Sequence, residues 1–233
     1  MTNRNLRLMV FDFDGVITDS EPAHFEAFRQ ALKSVGVNLR WEHYCKNYLT
    51  YTDRQAVQKV LLDQAREPTQ EAIDDLVEKK REKFAEFLRS NLNILPGVPE
   101  LLQNLQKNQI PCGICSGSIR SEIVFFLQQA NLHEFFRFIV SADDVKRSKP
   151  HPEAYLLSMK IGSEFCNHDK ALEPRECIAV EDSIGGINAA KAAGMLCLAV
   201  SNSYPANQLQ EADLIVEELS AVDMDLLRRM IQG

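Results

Sequence analysis

The chain has 233 residues, 45% of them hydrophobic and 25% charged, and a formal net charge of −7. That length suits one large domain or two small ones, with the residue balance of a globular protein. The acidity excludes the basic footprint of a nucleic-acid binder, and no apolar run approaches the ~18 residues of a membrane span. Arg4 and Arg7 precede an apolar stretch that Asp12 and Asp14 interrupt at once, unlike an export signal. A cytoplasmic monomer with reduced thiols is therefore expected, without nucleic-acid or membrane partners.

Leu6 to Phe11 is a compact apolar run that predicts a buried strand. It leads into Asp12-Phe13-Asp14-Gly15-Val16-Ile17-Thr18-Asp19-Ser20. Gly15 offers a turn, so two carboxylates fall at the C-terminal end of the first strand, the edge where open parallel sheets bind ligands. Acidic groups are rarely buried unless paired or bound to metal, and Mg²⁺ is the usual reason for such a cluster.

From residue 21 to about 92 the signals are helical. Glu21-Pro22 suits a first turn, Phe25, Phe28, Leu32 and Val35 follow at helical spacing, and Gly36 is a stop. Thr52 to Gln55 has the form of a capping box. Val57, Val60 and Leu61 follow, then a face of Ile73, Leu76, Val77, Phe84, Phe87 and Leu88. Together these predict a small four-helix bundle. Its connections, near 15–21 and 91–96, are candidate hinges.

After Leu95-Pro96-Gly97 the pattern alternates. Helices are predicted at 99–108, 119–130, 152–165 and 183–193, and strands at 110–116, 137–141, 176–181, 195–200 and 213–216. Such alternation indicates a parallel sheet with right-handed crossovers. Cys112 and Cys115 have C-x-x-C spacing, but on a strand they point to opposite faces and read as buried core. Trp41 and Phe125, Phe126, Phe135, Phe136 and Phe138 are also expected in the core.

Parallel strands bring Asp12 and Asp14, Ser116, Lys149-Pro150 and Glu181-Asp182 to one edge. The set suits phosphoryl transfer to a carboxylate nucleophile, Asp12. Mg²⁺ on Asp12, Asp182 and the Asp14 carbonyl would offset the repulsion between anions. Lys149 would supply positive charge, and Ser116 and the turn after it hydrogen-bond donors. Asp14 would protonate the leaving oxygen and then activate water. Glu181 is expected in the metal's surroundings or orienting Lys149.

The D-x-D-G-x-x-x-D-S run, Ser116, Lys149-Pro150 and Glu181-Asp182-Ser183 resemble the four signature motifs of the haloacid dehalogenase-like hydrolase superfamily. The insertion between the first motif and Leu95 resembles its helical-cap subclass, which includes β-phosphoglucomutase and phosphoglycolate-type phosphatases. The resemblance implies an α/β fold: a Rossmann-like three-layer core at 1–16 and 95–233, with a mobile helical-bundle cap at 17–94. It also implies Mg²⁺ and a small phosphorylated metabolite as partner. Substrate contacts are expected from Gly15, His24, Arg54, Gly117 and Ser118.

Where the mutase has a Lys-Gly pair and then Ser-Arg in the cap loop, this chain has Tyr48-Leu49-Thr50-Tyr51-Thr52-Asp53-Arg54. That favours hydrolysis over the alternative, a phosphomutase. A silent binding protein would have no need of the full Asp12, Asp14, Lys149 and Asp182 set. Phosphonate-cleaving relatives use a cap lysine that neither Lys33 nor Lys46 matches well. Tyr51 and Arg120 are further substrate-reading candidates, Thr18 and Asp19 are expected to brace the hinge by local hydrogen bonds, and Lys146 and Arg147 read as a solvated basic run. His43, His133, His151 and His168 carry no assignment.

Overall fold

The computed structural model describes residues 4–48, 51–166 and 171–233. Leu49 and Thr50 of the expected cap loop, and His168, lie outside them. The chain divides into two compact units, Ser20–Leu92 and the remainder, Met1–Asp19 with Asn93–Gly233.

The larger unit is built on six parallel strands: β1 (Leu8–Phe11), β2 (Cys112–Cys115), β3 (Phe136–Val140), β4 (Cys177–Glu181), β5 (Leu196–Val200) and β6 (Leu214–Val216). Their order is β3-β2-β1-β4-β5-β6. β1 is thus central, and the order reverses on either side of it, which opens a crevice at its C-terminal end. The register puts Phe11 beside Ile114 of β2 and Val180 of β4.

Burial on both faces explains why these strands read as continuous apolar runs rather than alternating ones. Leu8 and Val10 join a core with Ala154, Tyr155, Ile187, Ala189 and Ala190. The apolar residues of the two carrier helices, α7 (Glu153–Gly162) and α8 (Ile184–Ala192), supply that layer. Phe11 meets Phe136 edge-on at 5.9 Å, and Phe13 meets Phe126 at 5.3 Å. Phe126 belongs to α6 (Arg120–Gln129), and α5 (Val98–Lys107) buries Leu101, Leu102 and Leu105. Phe125 and Phe135, expected in the core, are only half-buried.

The helical unit contains α1 (Glu21–Lys33), α2 (Trp41–Asn47), α3 (Asp53–Asp63) and α4 (Gln70–Ser90). α1 packs against α4. The core gathers Phe28, Leu32, Tyr44, Val57, Val60, Leu61, Ile73, Leu76 and Val77. Thr52 accepts from the Gln55 backbone N–H while Gln55 caps in return, so the expected capping box opens α3. Trp41 departs from expectation. It is 40% exposed at the start of α2, with one edge against Phe25. A helix start beside an irregular segment leaves one face of such a large ring in water.

One element went unpredicted. α9 (Met224–Gln232) follows an N-capping Asp223, whose side chain accepts from the Leu226 N–H at 2.7 Å, and it buries Leu227 and Ile231. Among the described residues no helix is long and apolar enough to cross a membrane.

Candidate active site

All parts of this site lie in the larger unit. The backbone N–H of Asp12 donates to the Val180 carbonyl at 2.8 Å, continuing the β1–β4 ladder by one residue, so the Asp12 side chain leaves at the C-terminal edge of the central strand. Lys149 arrives from the loop after β3. Its ammonium donates to Asp12 Oδ1 at 2.9 Å, Glu181 Oε1 at 2.6 Å and the Cys115 carbonyl at 2.8 Å. It also sits 5.0 Å above the Tyr155 ring. The carboxylates of Asp12, Glu181 and Asp182 are all buried, with one oxygen of each within 4.8 Å of the others.

Glu181 is fully buried and holds a dense set of donors. Tyr155 donates its hydroxyl to Oε1 at 2.6 Å, the same oxygen that Lys149 engages. Ser183 donates to Oε2 at 3.2 Å while accepting the Gly186 N–H at 3.0 Å as the N-cap of α8. A Cβ on Gly186 would fall 1.9 Å from Oε2, so only glycine lets the helix approach. Both oxygens of Glu181 are thus engaged, one of them by Lys149.

The remaining groups surround Asp12. Asp14 is half-buried and accepts a hydrogen bond from the Ser118 hydroxyl at 2.5 Å. Ser116 is buried, with its N–H on the Val140 carbonyl and its Oγ accepting from the Ser118 N–H at 3.0 Å. Gly117, between them, has nothing within 4 Å of where a Cβ would stand. Gly15 has φ +79°, and a Cβ there would lie 1.8 Å from Asp182 Oδ2. The turn therefore demands glycine on two grounds, conformation and space. Ser203, from the segment after β5, donates to that same Oδ2 of Asp182.

The electrostatics show too little positive charge. Burial pushes the Asp12 carboxyl well above its ordinary value; Lys149 pulls it back, while Glu181 and Asp182 raise it further. Asp182 is pushed up to about 6, first by burial, with Ser203 opposing and the charges of Glu181 and Asp14 adding to the rise. Lys149 is buried, which disfavours its charge, yet Asp12 and Glu181 together hold it firmly protonated. One ammonium faces three carboxylates.

His24 and Arg54 belong to the helical unit. His24 stacks on Phe84 at 4.2 Å, and its Nδ1 lies 2.7 Å from Nζ of Lys80. Burial, then Lys80, keeps this imidazole well below its usual range and neutral. Lys80 itself is fully buried, donates to Asp53 at 2.9 Å and lies over the Phe28 and Phe84 rings. Arg54 is exposed and engaged by Asp74. Arg120 is likewise engaged, by the Ile139 carbonyl at 2.8 Å and Asp144 at 2.6 Å, so it braces a loop. Tyr51 is 44% exposed. Thr18 braces the loop after β1 through its backbone: its carbonyl accepts from the Gly15 N–H at 2.6 Å, and its N–H donates to the Phe13 carbonyl. Its buried Oγ1 has no hydrogen-bond partner among the described residues. Arg147 pairs with Glu153 at 3.2 Å.

Tyr155, Ser203 and Lys80 escaped the sequence reading. Nothing in the local sequence marks them, and each has a partner 21 to 56 positions away. The cysteines are free. Burial pushes the Cys112 thiol up to about 12 and the Cys115 thiol up to about 11, which suits inert core residues.

Residues 9–200 match the family described as haloacid dehalogenase-like hydrolase. A phosphorylated carbohydrates phosphatase of Thermotoga maritima is 29% identical over 192 residues, covering 82% of this chain and 82% of its own. Validoxylamine A 7'-phosphate phosphatase of Streptomyces hygroscopicus is 28% identical over 217 residues, covering 93% of this chain and 95% of its own. Among solved structures, β-phosphoglucomutase from Clostridium difficile aligns with a TM-score of 0.78 at 25% identity, covering 97% of each chain.

Proposed function

The chain belongs to the haloacid dehalogenase-like hydrolases, and on that footing we propose that it is a Mg²⁺-dependent phosphatase of a small phosphorylated metabolite, most simply a sugar phosphate. The observation that carries the proposal is the convergence of Asp12, Asp14, Lys149 and Asp182 at the C-terminal end of the central strand. The phosphatase names of two relatives support the reaction class and the substrate class.

The donor set fits a divalent cation. Three buried carboxylates, one of them held by its own ammonium and hydroxyl partners, leave a deficit of positive charge that Lys149 alone does not offset. Asp12, Asp182 and the Asp14 carbonyl would hold the ion, all hard oxygen donors of the kind Mg²⁺ prefers. When bound, it supplies charge neutralisation and orients the phosphoryl group.

Asp12 attacks phosphorus with a carboxylate oxygen as the P–O bond to the leaving group breaks. Asp14 gives its proton to the departing oxygen, which leaves as an alcohol. The same carboxylate then takes a proton from water, whose oxygen attacks the aspartyl-phosphate and regenerates Asp12 with release of phosphate. Ser118 fixes the Asp14 carboxylate between these roles. Lys149, held by Glu181, presents positive charge beside Asp12, and Ser116 and the Gly117 turn offer donors to the phosphoryl oxygens. His24 and Arg54 are the helical unit's candidates for reading the leaving group. The free thiols support work in a reducing cytoplasm.

A phosphomutase is the second reading, supported by the solved mutase neighbour. Against it stands the stretch from Tyr48 to Arg54, which lacks the Lys-Gly pair that the mutase carries there.

The test is phosphate release from a panel of sugar and small-metabolite phosphates, with Mg²⁺ and with chelator. The panel includes β-glucose 1-phosphate with a trace of the 1,6-bisphosphate. Metal-dependent release, abolished in Asp12→Asn, is the expected result. Isomerisation without net release points to the mutase, and full activity of Asp12→Asn refutes the mechanism.

A further inference from the structure

The segment after β5 is tied down before it reaches the site. Ser201 donates its N–H to the Val216 carbonyl at 2.9 Å and its hydroxyl to the same oxygen at 3.3 Å. Two residues on, the Ser203 hydroxyl meets Asp182 Oδ2. That oxygen is confined on another side by the backbone at Gly15, where a Cβ would lie 1.8 Å from it and 3.0 Å from Ser203 Oγ. Oδ2 is thus enclosed between a glycine and a hydroxyl. A carboxylate with one oxygen held in this way has lost much of its freedom to rotate, and one oxygen of Asp182 lies within 4.8 Å of carboxylate oxygens of Asp12 and Glu181.

We propose that Ser203 is a positioning residue that holds Asp182 in the orientation from which it ligates the divalent cation. The inference rests on the metal-dependent reading above and adds to it a residue outside the four motif segments. Groups that orient a ligand typically contribute about 10–100-fold to metal affinity. Ser203 is itself exposed, so replacing it removes the hydroxyl without opening the core.

The test is binding of Mn²⁺, a spectroscopic stand-in for Mg²⁺, to metal-stripped full-length protein. Binding is read from loss of the free-ion electron paramagnetic resonance signal. The proteins are wild type, S203A, S203T and D182N. The expected result is a dissociation constant raised about tenfold or more in S203A, near wild type in S203T, which keeps the hydroxyl, and lost in D182N. The metal-free circular-dichroism spectrum of S203A should match wild type, with the melting temperature lowered only by the loss of one hydrogen bond to Asp182. Wild-type affinity in S203A overturns the inference and leaves the phosphatase reading standing, as does an equal loss in S203A and S203T. A wild-type protein that binds no cation overturns the metal reading itself, and the inference with it.

Discussion

Lys149→Met should separate stability from catalysis. The ammonium stands 2.9 Å from Asp12 Oδ1 and 2.6 Å from Glu181 Oε1. At an effective dielectric constant of ~20 each contact is a Coulomb attraction of about 6 kcal/mol before desolvation is subtracted. The side chain of Lys149 is 15% exposed and that of Glu181 fully buried. Removing the cation therefore strands a buried charge, which typically costs about 3–5 kcal/mol. For a chain this long that lowers the melting temperature by roughly 10 °C. Glu181→Gln removes the stranded charge, so the double variant should lose less than the two single losses added together, by about 2–3 kcal/mol. It should stay inactive, because the charge beside Asp12 is still missing. Denaturant unfolding must be followed by circular dichroism or calorimetry, because the single tryptophan, Trp41, reports the helical unit. Additive losses within about 0.5 kcal/mol, or activity in the double variant, would refute the coupling.

Three further outcomes are expected. Asp182 is held near about 6 when folded against an ordinary 3.8, so the folded metal-free protein binds the extra proton and stability falls as pH rises from about 4 through 6. The penalty above that window is about 3 kcal/mol; Asp182→Asn should therefore melt higher than wild type at pH 8 without metal, with the difference vanishing near pH 4, and equal melting at pH 8 would contradict this. Gly15→Ala should cost about 2 kcal/mol or more, from its positive φ and its clash with Asp182, whereas Gly185→Ala, within α8 and with open space around it, should raise stability by up to about 1 kcal/mol in the same melts. In the helical unit, His24 is held well below its ordinary 6.5, so the unfolded chain takes up a proton that the folded unit refuses, and stability drops as pH falls below 6.5. Trp41 fluorescence melts should show that dependence flattened in His24→Gln.

Much of the larger unit was legible because burial on both faces wrote each strand as an apolar run with polar residues at its end. Asp12 and Asp182 stand out for that reason, as does Lys149 beside a proline in a strand-end loop. The expected strand and helix limits fall within a few residues of those observed. What was hidden depends on convergence. Tyr155 is an ordinary aromatic on a helix until Glu181 is seen beneath it. Lys80 lies in a strongly charged helix, where nothing marks one lysine as buried against Asp53 and His24. Ser203 sits in a polar loop whose only local message is a turn. Arg54 and Arg120 show the same limit: each is paired with an aspartate that no spacing rule points to.

The distribution of thiols makes the protein its own reporter of opening. Cys112, Cys115, Cys166, Cys177 and Cys197 are buried in the larger unit, whereas Cys45 is half-buried in the helical one. A thiol reacts with an alkylating reagent as its exposed thiolate, so the five should stay silent until the surrounding sheet opens. Cys45 should respond to fluctuations of the helices alone. Mass-resolved labelling at increasing urea would then read the two units separately in one unmodified chain, and would show which of them yields first.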